Sequence, residues 1–563
     1  MTGPPASVTE PGPLRQVSRG IGRAAALIGG ITVIARVVGF GRQLVFAHTV
    51  GSHCLGTAYA TANQVPNIIY DIVLGGALTS AVVPVLAGAA ARRAPYRVAP
   101  LSNGSSGITP PVADPDTEAS QIASALLTWT VILLAPASLI VALVARPLAS
   151  LLLAGVPNCA QAAAINVSSR MLVIFAPQIL LYGLAVVLYG ILQAHRRFTA
   201  PALAPVVSSL VVIAAYLAFV PLSAGSHDRL PLVPLPAQLV LSVGTTAGVA
   251  ALVFIALGPA LRLRLRLRPA LRFPDGVARR VRGLAAVGFA TLLAQDASLV
   301  AVMLLANSRQ GQGAVVLYNY GWQMFFVPYA VLAVPIATSV FPELSASDGP
   351  AFDRTAAAST RAAMLVSWLG AALLAGAAWP AAHLFVSNPI QARQLALAFI
   401  AFAPGLVGYG LAAALSRVLF ASGRNRLAAV ALIGGWLVVT AVDVAVVPLV
   451  RAHWVVPVLG LGNTVGLTFA GIALVVAVRA SRGPAALRGS GRAAAAGLVG
   501  AIAGGLAGGL VSAGLRVTGF FPNAFVTVLA CACAMAVFAA AVLALDGGDL
   551  RVMASRTVGR WFR

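Results

Sequence analysis

Two arginines, Arg36 and Arg42, lie inside a largely apolar stretch that runs from residue 24 to residue 50. An ionised side chain in the middle of a membrane span costs about 2.5–3.5 kcal/mol, so it is expected to face a wet cavity or a partner. The planar guanidinium group donates two parallel hydrogen bonds, which suits a phosphate or a diphosphate. Both residues are therefore candidates for binding an anionic ligand. The open alternative is that one or both side chains reach a membrane–water interface.

The spacing of the two arginines creates a geometric difficulty. On a regular helix, residues six positions apart point about 120° away from each other. The intervening Gly39-Phe40-Gly41 permits a bend or local unwinding, because glycine has no Cβ atom. We expect this distortion to bring both guanidinium groups to one cavity.

Three acidic residues also fall within predicted spans: Asp71, Asp296 and Asp443. Asp71 either pairs with an arginine or contributes to the site, and both interpretations stay open. Asp296 and Asp443 lie in different spans and could share a cation, the alternative being hydrogen-bonded or protonated carboxyl groups. No Ser/His/Asp constellation, Walker loop or dinucleotide-binding pattern stands out, and the four cysteines form no metal-binding motif. The sequence therefore predicts no enzyme, no cofactor and no metal site.

The composition identifies the class of protein. Of the 563 residues, 59% are hydrophobic and 9% are charged, and apolar runs of twenty or more recur. These runs exclude a soluble globular protein and indicate a polytopic membrane protein. The net charge of +24 comes from 38 basic residues that are all arginine. Because they cluster at the ends of apolar runs, they act as topology signals rather than as a nucleic-acid surface. The lack of lysine and the abundance of alanine indicate a GC-rich genome, as in actinobacteria.

The arginines also predict the topology. With the N-terminus inside, 28 arginines fall in cytoplasmic segments and six in outer segments, so both termini are predicted to be cytoplasmic. The Arg/Leu alternation in the central basic linker either anchors the topology or lies on the inner membrane surface. The predicted organisation is a disordered cytoplasmic tail (1–22), a six-helix lobe (23–258), a basic cytoplasmic linker (259–282), a second six-helix lobe (283–478), two further transmembrane helices (479–546) and a basic cytoplasmic tail (547–563).

An internal repeat relates the two lobes. The segment "FAPQILLYGLA" from Phe175 shares seven of eleven residues with "FAPGLVGYGLA" from Phe402, and the same offset carries Arg197 onto Arg424. A looser pair ends at Leu86 and at Leu344. Six predicted spans separate the repeats, and this even number makes the halves parallel. We therefore expect an all-α polytopic fold of about fourteen transmembrane helices, built from two parallel six-helix repeats plus two C-terminal helices. Transporters that rock around a central site have this plan.

Three segments carry a family resemblance: "ARVVGFGRQ" from Ala35, "TANQVPNIIYDIVLGGALTSAVVPVLAG" from Thr61 and "ILQAHRRFTAPALAPVVSSL" from Ile191. Together with the fourteen predicted spans, they resemble the MurJ/MviN family over about residues 22–546. These are lipid II flippases of bacterial cell-wall synthesis, within the multidrug/oligosaccharidyl-lipid/polysaccharide exporter superfamily. The resemblance implies a cytoplasmic-membrane protein with a V-shaped, arginine-lined cavity. The cavity would receive the headgroup of an undecaprenyl-diphosphate-linked murein precursor, and the two C-terminal helices would hold the lipid tail.

Carried over residue by residue, the resemblance implies a substrate-binding set. Arg36 and Arg42 match the two first-span arginines of the family. Gln64, Asp71 and Gln323 fall at the other positions of this set. Cell-wall synthesis proteins are the protein partners that the resemblance suggests.

Several positions depart from the family pattern. Tyr70-Asp71 stands where many relatives carry Arg-Arg, and Gln323 stands where they carry a cavity arginine. Gly75 replaces a glutamate, and Thr57 replaces an aspartate. Some relatives bind sodium between the seventh, eleventh and twelfth spans, but the seventh-span acid falls near Ala301, so no metal is predicted here.

Two cysteines suggest a disulfide. Cys54 follows the first predicted span and Cys159 precedes the fourth, so both fall in short loops on the outer, oxidising side. The hypothesis is that they pair; the alternative is that the loops hold their Cα atoms beyond about 7 Å.

The leading hypothesis for function is a flippase for a lipid-linked murein precursor. Two alternatives stay open. One is an exporter of another polyprenyl-diphosphate glycan or of an amphipathic drug, and the other is a membrane scaffold without transport activity.

Overall fold

The computed structural model describes residues 13–73, 115–195, 197–223, 225–226, 229–263, 268–271 and 277–561. These residues form helices joined by turns and short loops, with no β-strand among them, so the predicted all-α fold is confirmed. Residues 1–12 of the predicted tail, Gly75 and the repeat segment that ends at Leu86 lie outside the described residues.

The first half of the chain folds into helices of very different lengths. They are α1 (Pro13–Thr49), α2 (Cys54–Val73), α3 (Pro115–Leu143), α4 (Ala145–Leu152), α5 (Gln161–Phe175), α6 (Gln178–Ala194), α7 (Thr199–Leu222) and α8 (Leu235–Leu261).

The second half continues the pattern and ends with two long helices. Its elements are α9 (Val277–Arg309), α10 (Ala314–Pro328), α11 (Val334–Ser345), α12 (Gly349–Gly376), α13 (Ala378–Phe385), α14 (Pro389–Phe402), α15 (Gly405–Ala421), α16 (Asn425–Val446), α17 (Val455–Arg482), α18 (Ser490–Gly514) and α19 (Phe520–Trp561). A π-helical turn, Tyr329–Ala333, joins α10 to α11.

Many of these helices can cross a membrane. Within the described residues, eleven helices are long and apolar enough, or twelve if the bent pair α14–α15 counts as one span. They coincide with the third to the fourteenth predicted spans, the first of which is predicted at about 119–145 and the last at about 521–546. The helices α1 and α2 are not in this set, and the described part of α2 carries several amide and tyrosine side chains. The chain is therefore a multi-pass membrane protein, and the exact number of fourteen spans stays a prediction.

The order of elements recurs in the two halves. In the first half a long helix (α3) is followed by an eight-residue helix (α4) and a broken pair (α5–α6). The second half repeats this order with α12, α13 and α14–α15. The two breaks lie at Pro177 and Pro404, which have no amide hydrogen to continue the helical ladder. The sequence repeat is thus a repeat of structure.

Small residues bring the helices of each half into backbone contact. In α15, a Cβ atom at Gly408 would lie 2.2 Å from the carbonyl oxygen of Leu467 on α17. Lipid gives little hydrophobic drive for helix association, so close packing through glycine holds membrane helices together. Replacing Gly408 with any other residue would force α15 and α17 apart.

Candidate functional site

A cavity of about 400 Å³ lies where the two halves meet. Its walls come from α1, α2, α6, α7 and α8 of the first half and from α9, α10 and α16 of the second half. Four of the five predicted site residues line it: Arg42, Gln64, Asp71 and Gln323.

The helix α2 contributes a polar stripe to this cavity. Asn63, Gln64, Asn67, Tyr70 and Asp71 all line it. Their spacing of three, four and seven residues places them on one face of a helix, because such residues lie one above another. The stripe offers amide donors and acceptors along its length and a carboxylate at its far end.

Arg42 is the cation of the cavity. No other lysine, arginine or histidine is among the described residues that line it, and the side chain is partly buried. Tyr59, Tyr182 and Tyr216 line the same cavity and bring hydroxyl groups to it. Hydrogen bonds hold these hydroxyl groups in place. The hydroxyl oxygens of Tyr59 and Tyr216 are 2.9 Å apart, and the Tyr182 hydroxyl donates to Asn67 Oδ1 over 3.1 Å. The guanidinium group therefore sits in an ordered polar pocket.

Arg36 lies elsewhere. Its guanidinium carbon is 5.4 Å from the ring centroid of Phe326 on α10, a cation–π contact, and the residue does not line the cavity. The helix α1 continues without a break through Gly39–Gly41. The expected convergence of Arg36 and Arg42 on one cavity is therefore wrong for this structure, because glycine permits unwinding but does not require it. A role of Arg36 in substrate binding stays a prediction.

The carboxylate of Asp71 has no ionic partner among the residues that the structure describes. Among the described residues it lies within ion-pair distance of neither Arg36 nor Arg42, so the predicted neutralising pair is not found. The residue is partly exposed to the cavity that it lines.

Two further carboxyl groups are buried without partners. Asp296 on α9 is 2% exposed and Asp443 on α16 is 0% exposed, and neither accepts a hydrogen bond from a described residue. The hydrogen-bonded alternative predicted for them is thus not found. Nor do the described residues contain a group of three or more His, Cys, Asp or Glu side chains that could hold a metal ion.

Aromatic side chains of the second half also line the cavity. Trp322 and Trp436 both line it, with ring centroids 6.2 Å apart, and Trp322 also stacks on Phe325 at 5.2 Å. Sequence reasoning missed these residues, because tryptophans inside apolar runs look like ordinary core residues. The cavity thus offers both hydrogen-bonding side chains and flat aromatic faces.

Hydrogen bonds join the two halves at the end of the molecule where α1 turns into α2. Ser52 Oγ donates to Gln391 Oε1 over 2.6 Å, and the amide of Gly313 donates to Thr57 Oγ1 over 2.8 Å. Thr57 therefore accepts a hydrogen bond from the second half. A third bond between the halves runs from Asn307 Nδ2 to Thr61 Oγ1 over 3.2 Å. We call these three hydrogen bonds the interlobe seal.

A disulfide borders the interlobe seal. Cys54 and Cys159 are bonded, with Cα atoms 5.7 Å apart, which confirms the predicted pairing. The bond ties the start of α2 to the turn before α5. Within that turn Pro157 packs on Gly311 of the second half, where an added Cβ atom would lie 2.5 Å from the Pro157 carbonyl oxygen.

Comparison with known proteins adds a family. The family model described as "Lipid II flippase MurJ" matches residues 46–542. A lipid II flippase MurJ of Burkholderia cenocepacia is 28% identical over 330 residues, which cover 57% of this chain and 57% of that protein. A probable lipid II flippase MurJ of Rhizobium tropici is 24% identical over 324 residues, 57% of this chain and 54% of that protein. The matches thus span little more than half the length of these relatives.

Solved structures show the same fold. A lipid II flippase MurJ in an inward closed conformation has a TM-score of 0.68 at 16% identity, covering 92% of this chain and 99% of that one. An inward-facing multidrug resistance transporter of the MATE family has a TM-score of 0.60 at 13% identity, covering 79% and 94%.

Proposed function

The chain belongs to the MurJ family of lipid II flippases, and from this premise we propose that it moves a lipid-linked peptidoglycan precursor, lipid II, outward. The movement runs from the inner to the outer leaflet of the cytoplasmic membrane and serves cell-wall synthesis. In this proposal the protein is a transporter that makes and breaks no covalent bond.

The observation that carries the proposal is the cavity between the two repeats, with its guanidinium group and its amide stripe. Arg42 would bind the diphosphate, since its planar fork matches two phosphate oxygens. Gln64, Asn67 and Gln323 would hydrogen-bond the sugar hydroxyls, because side-chain amides both donate and accept. The undecaprenyl tail would stay in lipid beside the cavity while the headgroup crosses.

Alternating access follows from the repeat. We propose that the lobes, residues 23–258 and 283–478, rock against each other around the cavity. The predicted topology, with both termini in the cytoplasm, puts the interlobe seal on the outer side. The structure would then be an inward-facing state, in which three hydrogen bonds between the lobes hold the outer exit shut.

In this scheme Arg36 contacts the headgroup as it enters the protein from the cytoplasmic side. It lies six positions before Arg42 on α1, about 9 Å nearer the cytoplasmic end of the helix. There it would first attract the anionic headgroup and then pass it to Arg42.

Depletion of the protein in its own host tests the proposal. The expected result is arrest of growth with lipid II accumulating in the inner leaflet, relieved by the wild-type gene. Accumulation of a different polyprenyl-diphosphate glycan would show that the chain exports that glycan instead. Growth arrest without any accumulating precursor, relieved equally by a variant lacking both Arg36 and Arg42, would identify a scaffold for cell-wall synthesis proteins.

A further inference from the structure

The cavity holds a guanidinium group and a carboxylate that do not pair with each other. We propose that the headgroup it binds is zwitterionic, with a phosphate at Arg42 and a primary ammonium group at Asp71. The phosphate half of this inference rests on the proposed function. The ammonium half adds a recognition site that the family resemblance does not supply.

The two charges lie at different depths. The helices α1 and α2 leave the same turn at Thr49 and Cys54. Arg42 is seven residues from that turn and Asp71 is seventeen, so Asp71 lies about 15 Å farther along, at 1.5 Å per residue. Over such a distance the charges do little to neutralise each other. A long headgroup lying along the amide stripe of α2 would touch both.

Polar side chains of α9 border the same cavity. Gln295 and Ser298 line it. Asp296, which lies between them in the sequence, is 2% exposed and is not among the lining residues. The carboxylate that a ligand in the cavity can reach is therefore Asp71.

The chemistry favours an ammonium group over a bound metal ion. The described residues contain no group of three or more metal-type ligands, and a metal ion needs several fixed oxygen ligands. An ammonium group needs only two or three acceptors, which the two carboxylate oxygens of Asp71 and the amide oxygen of Asn67, one helical turn away on α2, can provide.

Binding of two matched lipids tests the inference. The full chain in lipid nanodiscs would be titrated with lipid II whose peptide carries a free side-chain amine, and with the same lipid N-acetylated at that amine. We expect the wild type to bind the free amine about tenfold more tightly, since a charge-assisted hydrogen bond is lost on acetylation. Asp71→Asn should remove this preference, and Asp71→Glu should keep it.

A carboxylate elsewhere provides the matched control. Asp353 pairs with Arg482 at 3.2 Å, away from the cavity, so Asp353→Asn should leave the preference unchanged. Equal binding of both lipids to the wild type would overturn the inference and leave the flippase proposal standing, as would a preference that survives in Asp71→Asn. If neither lipid binds the wild type, the flippase proposal fails and the inference falls with it. Thermal unfolding of each variant separates loss of binding from loss of fold.

Discussion

Replacing Arg42 with alanine removes the cation from the described lining of the cavity. A hydrogen bond to a charged group contributes about 1.5–3 kcal/mol, and the guanidinium fork can make two of them to one phosphate. Because the two hydrogen bonds are not additive, Arg42→Ala should lose about 3 kcal/mol of binding free energy, which weakens binding of lipid II on the order of 100-fold. Replacing Arg42 with lysine keeps the charge but loses the two-pronged geometry, so we expect an intermediate loss of about tenfold.

Arg36→Ala is the matched control. Arg36 lies on the same helix but outside the cavity, over the ring of Phe326. Its replacement removes no direct contact with a headgroup bound in the cavity, so binding should weaken less than about fivefold, or about 1 kcal/mol.

The assay is a titration of purified variants in nanodiscs with lipid II, at fixed ionic strength because exposed charges are screened by salt. Far-ultraviolet circular dichroism and thermal unfolding should be unchanged, since Arg42 faces a cavity rather than the packed core. Binding by Arg42→Ala within about threefold of wild type would refute the assignment of Arg42 as the phosphate ligand. An equal loss in Arg36→Ala would refute the distinction between the two arginines.

Three further predictions concern energy coupling, the disulfide and the interlobe seal. Outward flipping should slow when the membrane potential is collapsed at constant pH and sodium. With the inside negative, moving one negative charge outward releases about 2.3 kcal/mol of free energy per 100 mV. An unchanged rate would exclude this coupling. Mass spectrometry of non-reduced peptides should find Cys54 linked to Cys159, and two free thiols would contradict the structure. Because the bonded residues are 105 positions apart, reduction should lower the free energy of unfolding by up to about 4–5 kcal/mol. Gly311→Ala should loosen the interlobe seal, because the backbone at φ +83° disfavours alanine and the new Cβ atom would meet Pro157. A cysteine engineered into the cavity should then react faster with an impermeant reagent added outside, and equal reactivity would show that this contact does not hold the exit closed.

Local periodicity made much of the fold predictable from the sequence. Apolar runs broken by arginine, proline and glycine gave the spans, and the repeat around Phe175 and Phe402 gave the parallel halves. The resemblance placed Gln64, Asp71 and Gln323 in one site, and the helical spacing of α2 then puts the first two on one face. The loop positions of the two cysteines gave the disulfide as one of two hypotheses.

Contacts across the lobe interface were not predictable in the same way. The bond between Ser52 and Gln391 joins residues 339 positions apart, and no local pattern marks either of them. Trp322 and Trp436 lie in apolar runs, where a cavity wall and a packed core have the same composition. The two glycines between Arg36 and Arg42 permit a break but do not require one, and the hydrogen-bonded helix α1 continues through them.

Reconstituted flipping is the most direct test of transport by this chain. The full chain would be inserted into vesicles that contain lipid II, with a membrane potential imposed and exposure of the headgroup on the opposite leaflet followed over time. We expect headgroups to appear there faster with the wild-type protein than in protein-free vesicles. Arg42→Ala should abolish the difference, and Arg36→Ala should retain most of it. A wild-type rate equal to that of protein-free vesicles, with correctly inserted and folded protein, would contradict transport by this chain.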